Sequence, residues 1–286
     1  LGTFRLAARG AVAVMGKQEE NMRTLTWTKS LKDNNQDAVG SGSHFVAVAD
    51  GATPIRGGEA EAVATAEFSS ALVRGLGQNE VSPDSLRSDI SRAIQYVQRD
   101  CKTSVTSTLT VATWDENVLR LATIGDCTAL IFTSAGWVTI IDPNYGREDE
   151  RYLDMVANSV RRGASWEDSY LGINADLLQA RRDRNTDQGK WIVSDSVDAN
   201  KVMDHFHIVS VPRTRIKAFL VLSDGANAWR DPFQLVDAGD LVASSALDLD
   251  SYWEQANQMQ REDADRSRFP RLSNLDDATI ARVIYS

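Results

Sequence analysis

Four acidic positions stand where apolar runs stop, and their surroundings suit a hard divalent cation. The run Phe45-Val46-Ala47-Val48-Ala49 ends in Asp50-Gly51, and Phe219-Leu220-Val221-Leu222-Ser223 ends in Asp224-Gly225. A third acidic pair, Asp276-Asp277, directly precedes the last apolar run, and Asp126 follows Gly125 in a predicted tight turn. A carboxylate at a strand end sits on a rigid support, and a glycine after it lets the backbone turn and present a carbonyl, another hard oxygen ligand. Oxygen donors without His or Cys suit Mg²⁺ or Mn²⁺ rather than zinc. Asp-Gly is also an ordinary turn signal, so each position alone has a plain structural reading. Four of them at the ends of buried strands weaken that reading, but composition does not establish that they converge.

The elements that must hold these residues follow from the apolar pattern. Short β-rich runs recur at 45–49, 109–114, 118–124, 129–132, 137–141, 207–211, 218–222 and 278–285, and a milder one covers 6–15. These predict strands. Several are continuous in apolar residues, as expected where both faces of a sheet are covered, so helices must lie outside. Helices are predicted over 58–74, over 83–100, where Pro83 suits a first turn, and within 240–261. Residues 142–206 break the pattern: they are polar and rich in Arg and Asp, with helical periodicity near 151–160. They read as a flap inserted over one end of the sheets. This order fits an α+β sandwich flanked by helices better than a βαβ alternation.

The chain has 286 residues, 42% of them hydrophobic, which suits one large domain over 1–286 with an insertion. Its net charge of −9 is spread among interspersed acidic and basic residues. That argues against a grip on nucleic acid or on an anionic membrane. No stretch approaches the ~20 apolar residues of a membrane helix, and the expected location is cytoplasmic. Cys101 and Cys127 have neither zinc nor disulfide spacing and read as small core thiols. His44, His205 and His207, and the tryptophans at 114, 137, 166, 191, 229 and 253, read as structural.

Taken in order, Asn35-Gln36-Asp37-Ala38, Val48-Ala49-Asp50-Gly51, Ser107-Thr108-Leu109-Thr110, Gly125-Asp126-Cys127-Thr128-Ala129, Leu222-Ser223-Asp224-Gly225 and Asp276-Asp277-Ala278-Thr279 resemble the successive motifs of the metal-dependent protein phosphatase 2C family. Each motif is moderately specific, and the ordered set covers nearly the whole chain. The resemblance implies a four-layer α-β-β-α sandwich with two central mixed or antiparallel sheets and a cleft for two Mg²⁺ or Mn²⁺ ions at one end. By the family pattern Asp50 bridges both ions, the Gly51 carbonyl binds one, and Asp224 with Asp276 completes the other. A metal-bridging water would attack phosphorus in line, with no phosphoenzyme. Asp126 falls where the family often supports a third ion, and Asp37 anchors metal-bound water or the first strand.

The chain also departs from the pattern. Where the family commonly carries an arginine four residues before an acidic residue, this chain has Lys32 and then Gln36. Lysine supplies charge without the planar fork, and Gln36 can hydrogen-bond a coordinated water but brings no negative charge. Ala228 stands where a further third-ion carboxylate often sits, which disfavours that ion.

The resemblance implies a hydrolase of phosphoserine and phosphothreonine monoesters in proteins. A second reading is a phosphatase of a small phosphorylated metabolite, with the flap as lid and Arg161, Arg162, Arg181, Arg182 and Arg184 contacting another anionic group. A third, prompted by Lys32 and Gln36, is a pseudophosphatase that only binds a phosphorylated partner.

Overall fold

The computed structural model describes residues 12–15, 22–52, 58–78, 80–100, 104–275 and 277–285. Twelve strands among them form two sheets. One runs in the order β1 (Val12–Met15), β2 (Met22–Ser30), β12 (Asp277–Tyr285), β11 (Ile216–Leu222), β7 (Thr128–Thr133), β8 (Gly136–Ile140). The other runs β10 (His207–Pro212), β6 (Val118–Ile124), β5 (Thr106–Trp114), β4 (Phe45–Gly51), β3 (Ala38–Ser41), with β9 (Val193–Ser194) on β5. Every described pairing is antiparallel.

The two-residue period of a strand divides the apolar runs between three core layers. Val46 and Val48, Leu119 and Leu121, Phe219 and Val221, and Ala281 and Val283 meet between the sheets. The alternate residues Ala47, Ala49, Leu109 and Val111 face outward against Phe68 and Leu72 of α1 (Glu59–Gly77) and Ile90 and Ile94 of α2 (Leu86–Asp100). Trp27, Leu220, Leu222 and Ile280 face outward on the other sheet. There they meet Leu241 of α7 (Ala238–Ala243), and Leu249 and Trp253 of α8 (Ala246–Glu262). Covered on both faces, the strands read as continuous apolar runs, and the result is the expected four-layer α-β-β-α sandwich.

Some elements differ from the sequence reading. The single late helix is two, because Ser245 is extended and caps α8 through a reciprocal box with Asp248. Helix α2 starts at Leu86, after a turn in which the Ser85 hydroxyl donates to Asp89 at 2.5 Å. Strand β2 was not predicted: its Thr-rich sequence lacks an apolar run, yet it is largely buried beside β12. Trp27 at its centre is fully buried, edge-on to Trp229 at 5.4 Å and Trp253 at 6.4 Å. Of the 6–15 strand only residues 12–15 lie among the described residues.

The inserted segment has two parts. Helices α3 (Gly146–Arg161) and α4 (Trp166–Arg182) pack through Tyr152, Val156 and Ile173, a small core of their own. Strand β9 and helix α5 (Ala199–Asp204) instead join the main body, β9 on Thr106 and Ser107 and α5 through Ala199, Val202 and Met203. No helix among the described residues is long and apolar enough to cross a membrane.

Candidate metal centre

Strand parity carries the acidic residues to one end of the sandwich. Val46 and Val48 point between the sheets, so Asp50, two residues on, opens from the same face. Ala281 and Val283 fix the same parity for Thr279 and Asp277 on β12. Cys127 belongs to the inter-sheet core and Asp126 precedes it in the β6–β7 turn. Asp37 leads into β3, and Asp224 opens the short helix α6 (Asp224–Asn227) directly after β11.

Hydrogen bonds tie these loops together. The Gly51 amide donates to the Gln36 carbonyl at 3.2 Å, and the Gln36 amide to Asp277 Oδ2 at 3.0 Å. Asn35 donates to the Thr28 hydroxyl at 2.7 Å, which lies 2.7 Å from that of Thr279. Ser223 and Thr279 bind each other twice: the Ser223 amide donates to the Thr279 carbonyl and the Thr279 amide to Ser223 Oγ, both at 3.0 Å. The Ser107 hydroxyl donates to the Asp50 carbonyl at 2.8 Å. Two glycines permit the close approach. A Cβ on Gly51 would collide with the Thr65 methyl and press the Gln36 carbonyl at 2.9 Å, and Gly125, at φ +96°, has Thr108 against it. Buried Asp142 accepts the Gly125 amide at 3.1 Å and so fixes the Asp126 turn from below.

Oxygens of Asp50 and Asp126 and the sulfur of Cys127 all lie within 4.8 Å of one another. Burial raises the Asp50 carboxyl well above the ordinary carboxylate range, and the charges of Asp37, Asp224 and Asp126 add to it. Asp37 is raised likewise by burial and then by Asp277, while the hydroxyls of Ser223 and Thr279 oppose the shift. Asp37 Oδ2 and Asp50 Oδ2 are both closed off from solvent and accept no hydrogen bond from any described group. Such an oxygen costs roughly 1–3 kcal/mol, and like charges around it add to the cost. A divalent cation held between these oxygens removes both costs at once, so the residues present fit it.

Several predicted site residues therefore meet: Asp50 with Gly51, Asp126, Asp37 and Asp224 at one end, and Gln36 buried beneath them. Asp276 lies outside the described residues. Its neighbour Asp277 is buried, accepts the Gln36 amide and faces Asp37, a role the sequence reading did not assign to it. Lys32 is exposed in the turn after β2, its amide anchored on Ser30 Oγ at 2.9 Å. Of the insertion arginines, Arg184 comes within 3.5 Å of the Thr106 hydroxyl, one strand-face step beyond Thr108, the cross-strand partner of Asp50. His205 stacks on Trp191 at 3.7 Å, a packing role.

Comparison with known proteins places this arrangement. PppA of Pseudomonas aeruginosa, a regulatory component of its type VI secretion system, superposes with a TM-score of 0.56 at 15% identity over 93% of this chain and 98% of that one. The Ser-Thr phosphatase MsPP of Mycobacterium smegmatis, in complex with cacodylate, gives 0.54 at 15% identity over 92% and 98%. The catalytic domain of the serine/threonine phosphatase PstP, in complex with two manganese ions, gives 0.52 at 16% identity over 93% and 98%. These likenesses are of fold. No curated protein matches the chain significantly. The family model described as protein phosphatase 2C matches residues 29–268, most of the chain. The chain belongs to the protein phosphatase 2C family and is a metal-dependent protein phosphatase.

Proposed function

We propose that this phosphatase hydrolyses phosphoserine and phosphothreonine monoesters at the carboxylate end of the sandwich, with water as nucleophile and two Mg²⁺ or Mn²⁺ ions as cofactors. The observation that carries this reading is the pair of closed-off, donor-less oxygens on Asp37 and Asp50, each surrounded by further carboxylates. The residues that would hold the ions are Asp50, the Gly51 carbonyl, Asp224 and, by the family pattern, Asp276, with Asp126 and Asp37 beside them. Divalent ions there would supply Lewis acidity: a more acidic water and compensation for charge on the phosphoryl oxygens.

The chain's own residues do the rest. Asp37, fixed through the Asn35 and Thr28 hydrogen bonds, can hold a proton or a water at a defined place. Gln36 donates its amide to Asp277 and accepts the Gly51 amide, which sets the spacing between the Asp50 and Asp277 loops. Lys32 supplies a positive charge to the incoming phosphate without the two-pronged grip of arginine. Cys127 is fully buried and cannot reach a phosphoryl group as a nucleophile. The third ion stays disfavoured, since Ala228 ends α6 without a carboxylate. Two surface depressions, one beside Arg230 and Asp240 and one beside Arg87 and Asn200, contain none of these acids, and nothing favours the small-metabolite or binding-only readings.

The test is hydrolysis of phosphothreonine and phosphoserine peptides with Mn²⁺, Mg²⁺ or EDTA. Metal-dependent release of phosphate, stopped by EDTA, is expected. Mn²⁺ binding with no turnover of any phosphopeptide would overturn the reading.

A further inference from the structure

The Asp126 turn contains a residue of different chemistry from everything around it. Cys127 is fully buried, and its Sγ shares a 4.8 Å sphere with carboxylate oxygens of Asp50 and Asp126. It lies 3.3 Å from the Thr108 hydroxyl, on the residue paired with Asp50 across β4 and β5. In a tetrahedral or trigonal set around one ion, metal–sulfur and metal–oxygen bonds of ~2.3 and ~2.1 Å put ligand atoms about 3.4–3.8 Å apart. These three atoms, within 4.8 Å of one another, can therefore meet one ion with shifts of up to about 1 Å. A second observation points the same way: Asp37 is 5% exposed, its Oδ2 accepts no hydrogen bond, and its charge acts on both Asp50 and Cys127.

We infer that Cys127 is itself a ligand, so that Asp50, Asp126 and Cys127 form a site for one thiophilic divalent cation such as Zn²⁺ or Cd²⁺. The inference rests on the reading of Asp50 as a metal ligand. On binding, the sulfur–metal bond forms as the thiol proton leaves to solvent, with no change of oxidation state. Thiolate selects softer ions where carboxylate and water suit Mg²⁺ and Mn²⁺, so this sulfur gives the centre an affinity that an all-oxygen set lacks. The sequence reading of Cys127 as a core thiol then holds for packing but not for chemistry, while Cys101 lies outside the described residues.

The experiment titrates Cd²⁺ into the EDTA-stripped full chain and follows the ultraviolet thiolate-to-cadmium absorption, with circular dichroism as a check on folding. Wild type and Cys101→Ser should show the band, saturating at one equivalent. Cys127→Ser and Cys127→Ala should lose it and bind Cd²⁺ about tenfold or more weakly, with a smaller change for Mn²⁺. Should both Cys127 variants misfold, the cadmium NMR shift of the wild type separates a sulfur-ligated ion from an oxygen-only one. A wild type without the band, or a band that survives in folded Cys127 variants, overturns the inference. If that wild type still shows Mn²⁺-dependent hydrolysis, the phosphatase reading stands and only the Cys127 assignment falls. A Cys127-dependent band without hydrolysis gives the reverse.

Discussion

Asp263, buried, and Asp50, half-buried with one carboxylate oxygen closed off, are two carboxylates that the fold treats in opposite ways. Asp263 is 4% exposed and fully engaged: it accepts the Arg268 amide at 2.9 Å, the Phe269 amide at 3.0 Å and Arg271 Nη1 at 2.7 Å. Burial works against its charge, but those donors outweigh burial and hold the carboxyl below the ordinary range. Asp50 has an oxygen with no donor, and burial followed by three neighbouring acids pushes its carboxyl up. A satisfied buried charge holds a loop closed, here the segment after α8 against that helix. A buried charge without donors and among like charges is a place kept for a cation.

The largest effect should come from Asp50→Asn. Loss of several kcal/mol of transition-state stabilisation corresponds to a drop of roughly 10³-fold or more in kcat, measured on a phosphopeptide with Mn²⁺. The fold should survive, because the substitution removes a repelled charge. Full turnover in this variant would end the metal assignment. Next, Arg271→Met should leave Asp263 buried beside only its amide donors and cost about 3 kcal/mol in urea unfolding. A cost near zero would mean that the two carboxylates are not treated differently after all.

Metal itself gives a smaller, reversible effect. Mn²⁺ at 100-fold above its Kd should stabilise the wild type by about 2.7 kcal/mol in thermal unfolding, and Asp50→Asn by much less. The comparison also predicts pH dependences of opposite sign. The folded-state value of Asp263 is depressed, so its contribution is present above the unfolded aspartate value of ~3.9 and is lost as pH falls through the folded one. In the metal-free protein Asp37 and Asp50 are raised. Their contribution is present below the unfolded value and is lost as pH rises through the folded ones. Urea unfolding across acidic pH of the wild type, Asp263→Asn and Asp50→Asn in EDTA should separate the two slopes. Smallest of all, Lys32→Arg should lower KM a few-fold through a better phosphate fork, with kcat little changed. No change in KM would mean that Lys32 does not face the phosphate.

Much of this was legible in the amino-acid order, and the failures have physical reasons. The acidic ends of β4 and β11 could be read because continuous apolar runs stop abruptly at Asp50 and Asp224, and that contrast needs no tertiary knowledge. Strand β2 could not, since Thr24, Thr26 and Thr28 are buried by their neighbours and not by any hydrophobicity of their own. The centrality of Trp27 was hidden for the same reason. The late helix read as one because its apolar spacing continues through Ser244 and Ser245, and only the cap shows the break.

The sequence by itself determined the periodicities, the rigid supports and the residue types: which runs become strands, where carboxylates end them, and that oxygen ligands dominate. Those are local properties, carried by a few consecutive residues. Only the tertiary structure decided that Asp37, Asp50, Asp126 and Asp224 act on one another, that Asp277 faces Asp37, and that Cys127 joins the acids while Asp263 finds Arg271. Such relations depend on how strands distant in sequence register against each other, and a one-residue slip in any of them would turn the same side chains to the opposite face.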